Sequence, residues 1–162
     1  MDAERGPVME SVRRRRLAAR MILIDEIGRT LLFRGVDPMN STGPTWWFTP
    51  GGGREGDETD EQTARREVYE ETGHLVEAMS GPVLRREFDV DFAGEPIHQV
   101  EVYFVAYVPS FEPHSIGWTD LERMTILDHR WWSPADLESS TELIFPTNLP
   151  ELVRRLSRPD PR

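Results

Sequence analysis

Three glutamates with helical spacing are the residues of this chain that most directly indicate chemistry. Glu67, Glu70 and Glu71 are separated by three and four positions, so their carboxylates share one face of a helix. Like charges at these spacings destabilise a helix by about 0.2–0.5 kcal/mol per pair. Carboxylate oxygens are the ligands that Mg²⁺ and Mn²⁺ prefer, so a bound cation would offset the repulsion. The alternative is a solvated acidic face whose repulsion is softened by Arg65 and Arg66.

The segment around these glutamates is typical of a strand, a glycine loop, a helix and a helix stop. Bulky residues at 46–48 favour a strand, which Pro50 and the glycines at 51–53 interrupt. Residues 58–72 contain neither proline nor glycine, and the acids at their start suit the positive end of a helix. Gly73 is placed to end that helix in a left-handed conformation. A glycine loop and one helix therefore position the three carboxylates.

The fixed residues of this segment resemble the Nudix box. They match the pattern G-x5-E-x7-R-E-U-x-E-E-x-G-U, where U is bulky and apolar, through Gly52, Glu58, Arg66, Glu67, Val68, Glu70, Glu71 and Gly73. Seven fixed residues at fixed spacing arise by chance on the order of 10⁻⁸ times per start position. His74 departs from the final apolar position, which packs the helix exit and does not contact metal. The chain therefore resembles a Nudix hydrolase of the MutT-like kind, with its box at 52–74.

This resemblance implies a reaction and a cofactor. Nudix enzymes hydrolyse the pyrophosphate bond of a nucleoside diphosphate linked to another group, such as an NDP-sugar or a (d)NTP, with Mg²⁺ or Mn²⁺. The resemblance implies metal ligation by Glu67, Glu70 and Glu71, with a carbonyl oxygen of Gly51 or Gly52 as a further ligand. It also implies structural roles within the motif for Glu58, Arg66 and Gly73.

The resemblance does not single out one residue as the general base. It is the residue equivalent to Glu70 or Glu71 in some members of the family, and a glutamate from a later loop in others. Glu122 is the loop candidate here, and its alternative role is that of an exposed helical acid.

Candidate substrate contacts lie outside the box. Arg20, Arg34 and Arg54 carry planar forks that suit phosphate, although each is equally consistent with a surface arginine. Glu101 lies on the mixed face of an alternating strand and is a candidate for the substrate site, as a ligand carboxylate or as a residue that supports the ligands, or else an ordinary half-exposed strand residue. One tryptophan of the pair at 46–47 could stack on a base, although buried core tryptophans are more frequent. The downstream residues that mark ADP-ribose, dinucleoside polyphosphate and NADH subgroups are absent, so the substrate stays open.

The charge of the chain excludes some partners. Nineteen basic and 29 acidic residues give a net charge of −10, which argues against a stable nucleic-acid partner. Bound cations would reverse this field locally and admit an anionic nucleotide. The absence of cysteine excludes disulfides, and no apolar run reaches membrane-spanning length. With no secretory signal in the sequence, we expect a cytoplasmic protein without a membrane partner.

Length and periodicity predict one α/β domain over residues 13–157, after a flexible leader at 1–12 and before a tail at 158–162. The predicted strands are 17–25, 30–34, 46–48, 83–92, 98–108 and 126–132, and the predicted helices include 58–72, one capped by Ser133, and 148–156. Helices on both faces of a central mixed β-sheet give a Nudix-type α/β/α sandwich.

The four arginines at 13–16 allow two interpretations. A solvated edge before the first strand is the simpler one, and an anion-binding or dimer-contact arm is the other. The family resemblance makes a homodimer one option for the assembly.

Two other classes of function stay open at this stage. One is a Nudix-like module that binds a nucleotide without cleaving it, and the other is an acidic metal-binding scaffold with a chance motif. The intact set of glutamates favours the hydrolase.

Overall fold

A computed structural model shows the chain over residues 12–157. The strands are β1 (Arg14–Ile24), β2 (Thr30–Val36), β3 (Thr45–Phe48), β4 (Gly51–Gly53), β5 (Ser80–Phe92), β6 (Glu95–Tyr107), β7 (Ile126–Trp132) and β8 (Ile144–Phe145). The helices are α1 (Asp60–Thr72), α2 (Asp120–Thr125), α3 (Pro134–Ser139) and α4 (Leu149–Ser157). Of the predicted leader only Val12 lies among the described residues, and the predicted tail lies outside them.

The strands form one mixed sheet in the order β5-β6-β1-β2-β3-β8, with β4 pairing β1 and β7 pairing β2. The central strands β1 and β6 run parallel along the whole of β1. β4 lies antiparallel to the middle of β1, on the side away from β6, so it places the glycine loop beside the centre of the sheet. The mixed sheet predicted from the sequence is confirmed.

Helices cover both faces of this sheet because β1 is apolar on both sides. Met21 and Leu23 pack with Val68 of α1 on one face. Ile22 and Ile24 belong to the cluster on the other face, which the helices α3 and α4 complete. Each fully buried aliphatic side chain of this kind contributes about 1.5–3 kcal/mol. The result is the α/β/α sandwich that the sequence predicts.

The second face of β6 differs from its prediction. We expected a mixed face open enough to line a site, but Tyr103 and Val105 are buried in the core beside α3 and α4. Gln99 and Glu101 on the same face are also buried, at 4% and 2% exposure. The difference arises because α3 and α4 pack over Tyr103 and Val105 on this face, while arginines of neighbouring strands pair with the buried Glu101.

Three of the four arginines at 13–16 belong to the sheet. β1 begins at Arg14, because its parallel pairing with β6 extends that far. Arg13 donates to Asp91 at 3.0 Å and Arg14 to Glu95 at 2.6 Å, so both arginines are paired with acids of the β5–β6 hairpin. Arg13 lies directly before β1 and Arg14 is its first residue, and their side chains remain 34% and 58% exposed. No helix within residues 12–157 has the length and apolarity to span a membrane.

Candidate metal centre

The helix α1 is held at both ends by local sequence. Thr59 caps its N-terminus, accepting from the Gln62 amide while the Gln62 side chain accepts from the Thr59 amide. Gly73 ends it in the left-handed conformation, with φ of 78°, and donates its amide to the Tyr69 carbonyl. The glutamates of the C-terminal half of α1 are therefore presented on a helix with defined ends.

Three carboxylates converge beside the glycine loop. Glu67, Glu71 and Glu122 each offer an oxygen, and these three oxygens lie within 4.8 Å of one another. Two of them come from α1 and the third from α2, which lies far along the chain. This separation is small enough for three carboxylates to ligate one divalent cation.

Glu71 is the most buried member of this group. Its side chain is 4% exposed, and its Oε2 accepts the Gly51 amide at 3.1 Å. Burial raises the pKa of Glu71 well above its ordinary value, and the neighbouring Glu67 raises it further. Burial also raises the pKa of Glu67, against the opposing effect of Arg66. A divalent cation between these groups would offset the cost of burying their charges together.

Glycine is required at two positions of the loop for close approach. A Cβ at Gly51, where φ is 146°, would lie 2.4 Å from the Ala19 carbonyl oxygen. A Cβ at Gly52 would lie 2.6–2.7 Å from the carboxylate atoms of Glu67. At Gly51 the neighbours are backbone atoms that cannot move aside, whereas at Gly52 a side chain would displace the Glu67 carboxylate from its position.

The two carboxylate oxygens of Glu122 differ in their hydrogen bonds to the described residues. Its Oε1 accepts the Thr119 amide and hydroxyl at 3.0 and 2.9 Å, because Glu122 is the third residue of a capping box that begins α2. Its Oε2 is buried and has no hydrogen-bond partner among residues 12–157. A buried, unpaired carboxylate oxygen beside two other carboxylates fits a cation ligand.

The structure does not bring Glu70 into this three-carboxylate group. Its Oε2 accepts from Arg66 at 3.1 Å, and its side chain is 38% exposed. Arg66 also pairs with both oxygens of Glu58, at 2.5 and 3.0 Å, and donates to the Gly53 carbonyl at 2.9 Å. These bonds tie the glycine loop to α1, and the Arg66 guanidinium holds the pKa of Glu58 at about 2.

Arg20 and Glu101 form a buried charge network on the opposite face of the sheet from α1. Glu101 accepts from Arg20 at 2.8 Å, from Arg86 at 2.7 Å and from the Tyr103 hydroxyl at 2.6 Å. Burial alone would raise the pKa of Glu101, but the two arginines lower it to about 2. Arg20 also donates to the Thr49 carbonyl at 3.1 Å. Because these groups already satisfy one another, the placement does not favour direct substrate contact by Glu101.

The two other candidate arginines, Arg54 and Arg34, differ in the partners of their guanidinium groups. Arg54 donates to Asp60 at 2.6 Å, so its charge is already compensated. The Nε of Arg34 is buried without a partner among the described residues, and its guanidinium lies 6.0 Å from the ring centre of Trp47. Trp47 itself is a core residue, 5% exposed and bonded to Glu142, whereas Trp46 is half-buried.

The sequence predicts a loop at residues 109–119 but not its contacts, and the structure packs this loop on the C-terminus of α1. Trp118 donates its indole N–H to the Glu71 carbonyl at 2.7 Å, and the His114 amide donates to the Thr72 carbonyl at 3.1 Å. His74 stacks on Phe111 with ring centres 4.3 Å apart. No periodic pattern identifies such contacts, because a lone tryptophan in a loop has no register to predict its partner.

Comparison with known proteins agrees with this architecture. A model of the NUDIX domain family matches residues 14–156. No curated protein sequence matches the chain.

Three solved structures illustrate the similarity of fold. The MutT protein from Methanosarcina mazei Go1 has a TM-score of 0.64 at 20% identity, covering 90% of this chain and 95% of that one. A MutT NUDIX hydrolase from Burkholderia pseudomallei has a TM-score of 0.61 at 22% identity, and the match covers 85% of this chain and 95% of that one. The third is the NUDIX domain of NrtR from Shewanella oneidensis, solved in complex with ADP ribose. It has a TM-score of 0.64 at 20% identity, and the match covers 96% of this chain and 95% of that one.

At these identities the solved structures show the fold alone, whereas the family model spans most of the chain. The geometry agrees with it, since the helix of the glutamate motif follows a glycine loop and lies against a mixed sheet. The chain therefore belongs to the Nudix family and is a Nudix hydrolase.

Proposed function

We propose that this protein hydrolyses the pyrophosphate bond of a nucleoside diphosphate linked to another group, in a reaction that depends on Mg²⁺ or Mn²⁺. One observation carries the proposal: three carboxylates from two helices each bring an oxygen within 4.8 Å of the others, and a buried oxygen of Glu122 has no partner in the described part of the chain. The products are two phosphorylated fragments, since water adds across one phosphorus–oxygen bond. The binding of ADP ribose by the similar Shewanella domain supports this class of substrate.

In this proposal Glu67, Glu71 and Glu122 hold the cation, and the Gly52 carbonyl is a further ligand. When bound, Mg²⁺ or Mn²⁺ neutralises phosphate charge and polarises a phosphoryl oxygen. Arg66 and Glu58 keep the glycine loop in place against α1.

Glu70 is then the carboxylate that remains to accept the proton of the attacking water. It lies one turn from Glu67, it is 38% exposed, and Arg66 engages only its Oε2. Glu70→Gln distinguishes this role from ligation of the cation, which the sequence also allows. A lower kcat with unchanged Mn²⁺ affinity identifies a base, and loss of both identifies a ligand.

Of the three candidate arginines, we assign contact with the substrate to Arg34. Its buried Nε lacks a partner among residues 12–157, whereas Arg20 and Arg54 are each paired with an acid. A guanidinium beside a tryptophan ring suits recognition of phosphate or of a nucleotide.

The deciding experiment measures hydrolysis of a panel of substrates with Mg²⁺, with Mn²⁺ and with a chelator. The panel contains (d)NTPs, NDP-sugars, ADP-ribose, NADH and dinucleoside polyphosphates. We expect cleavage of one class with metal only, its loss in Glu71→Gln and its retention in Glu61→Gln, a control at an exposed position of the same helix. Binding of a nucleotide without cleavage under either metal would instead identify a non-catalytic binding module.

A further inference from the structure

The helix that carries Glu122 is held at its ends and not by packing of its side chains, and its C-terminal end continues directly into β7, which pairs with β2. α2 has only six residues, and none of its side chains is buried. Isolated helices of this length are unstable in water, so contacts from outside must keep it in place. The capping box at its start fixes Glu122 relative to Thr119, but it does not fix Thr119 relative to α1.

Trp118 supplies the missing connection. It directly precedes Thr119, and its indole Nε1–H donates to the backbone carbonyl of Glu71 at 2.7 Å. Its ring lies edge-on to the buried Phe33, with ring centres 6.2 Å apart at an angle of 83°. One side chain therefore joins the start of α2 to the main chain of a metal-centre glutamate and to the core.

Two glycines allow the loop that carries Trp118 to lie close to the C-terminal end of α1. A Cβ at Gly117 would lie 2.5 Å from the Glu70 carbonyl oxygen, so only glycine lets the loop come this close to α1. The ring of His114 lies against Gly73 in the same way, since a Cβ there would overlap it. Glu71 is consequently held twice, by Gly51 at its carboxylate and by Trp118 at its carbonyl.

We propose that Trp118 is a positioning residue, which holds the Glu122 carboxylate at the metal centre by fastening the start of α2 to the Glu71 carbonyl. The inference rests on the proposed function, because it assigns Glu122 to the cation. It differs from a purely structural role, in which Trp118 would only fill space beside Phe33.

The test is Trp118→Phe, which keeps a ring beside Phe33 and removes the indole N–H. Trp131→Phe is the matched control, since the Trp131 indole donates to the Phe111 carbonyl of the same loop at 3.0 Å and not to a glutamate of the centre. Mn²⁺ affinity is measured by electron paramagnetic resonance and calorimetry for each variant, for Glu122→Gln, and for the Trp118→Phe/Glu122→Gln double variant. Thermal unfolding is recorded in the presence of a chelator.

Substituting a residue that orients a metal ligand typically lowers metal affinity by about 10–100-fold. We expect a loss of this size in Trp118→Phe, little change in Trp131→Phe, and no additional loss from Trp118→Phe once Glu122 is glutamine. Unchanged Mn²⁺ affinity in Trp118→Phe would overturn the inference, as would losses that multiply fully in the double variant. If Glu71→Gln and Glu122→Gln also leave Mn²⁺ affinity unchanged, the metal centre itself is misassigned. This result distinguishes a failure of the proposed function from a failure of the positioning role of Trp118.

Discussion

Replacing Glu101 by glutamine should destabilise the fold by removing a buried carboxylate that neutralises two arginines. Glu101 is 2% exposed, and Arg20 and Arg86 each donate to it at less than 3 Å. The fall in its pKa from 4.5 to about 2 corresponds to about 3 kcal/mol of stability, at about 1.36 kcal/mol per pH unit. Breaking a buried ion pair by removing one partner costs about 3–5 kcal/mol, which agrees.

The pH dependence of this effect has a definite sign. Because the folded state lowers the pKa of Glu101, its contribution is complete above about pH 4.5 and is lost as the pH falls towards 2. The stability difference between the native protein and Glu101→Gln should therefore be largest at pH 7 and shrink in acid.

Urea unfolding at a series of pH values, in the presence of a chelator, measures this difference directly. At pH 7 a loss of about 3 kcal/mol lowers Tm by about 6–12 °C in a protein of this size. Glu95→Gln is the control, because the Arg14–Glu95 pair has similar distances but is exposed and should contribute little. A Glu101→Gln variant as stable as the native protein at pH 7, or one whose loss does not shrink in acid, would refute this reasoning.

Three further outcomes follow from the metal centre and its surroundings. Gly52→Ala should lower Mn²⁺ affinity about 10–100-fold in calorimetry with little change in Tm, because the new Cβ would meet the Glu67 carboxylate at 2.6–2.7 Å. Mn²⁺ affinity should rise with pH above 4.5 and binding should release protons, detected by calorimetry in buffers of different ionisation enthalpy, because burial raises the pKa of Glu71. Arg34→Met should raise KM for the substrate and leave Mn²⁺ affinity unchanged, whereas Arg54→Met, which removes an arginine already paired with an acid, should change KM less.

Local sequence was sufficient for the elements that carry the motif. The capping acids, the proline-free stretch and Gly73 predicted α1 with an error of two residues at its start and none at its end. The strand at 126–132 was predicted at both of its boundaries, and the Ser133 cap was also correct. These features depend on neighbours within a few positions, which is the range over which backbone propensity and capping act.

Contacts between distant segments could not be predicted in the same way. The sequence offered Glu122 as a candidate general base and Glu101 as a candidate for the substrate site, but it could not predict what either side chain contacts. Parallel pairing of β1 with β6 places Glu101 between two arginines, and α3 and α4 help to bury its face of the sheet.

The sequence by itself determined the family, the helix with its glutamates and the need for glycine in the loop, because these are encoded within one continuous segment. The tertiary structure alone decided that Glu122, from a distant segment, joins Glu67 and Glu71. It also decided that Trp118 bonds to the Glu71 carbonyl. The physical reason is that these positions depend on how the loop of residues 109–118 packs against the end of α1, and non-local packing leaves no periodic trace in the chain.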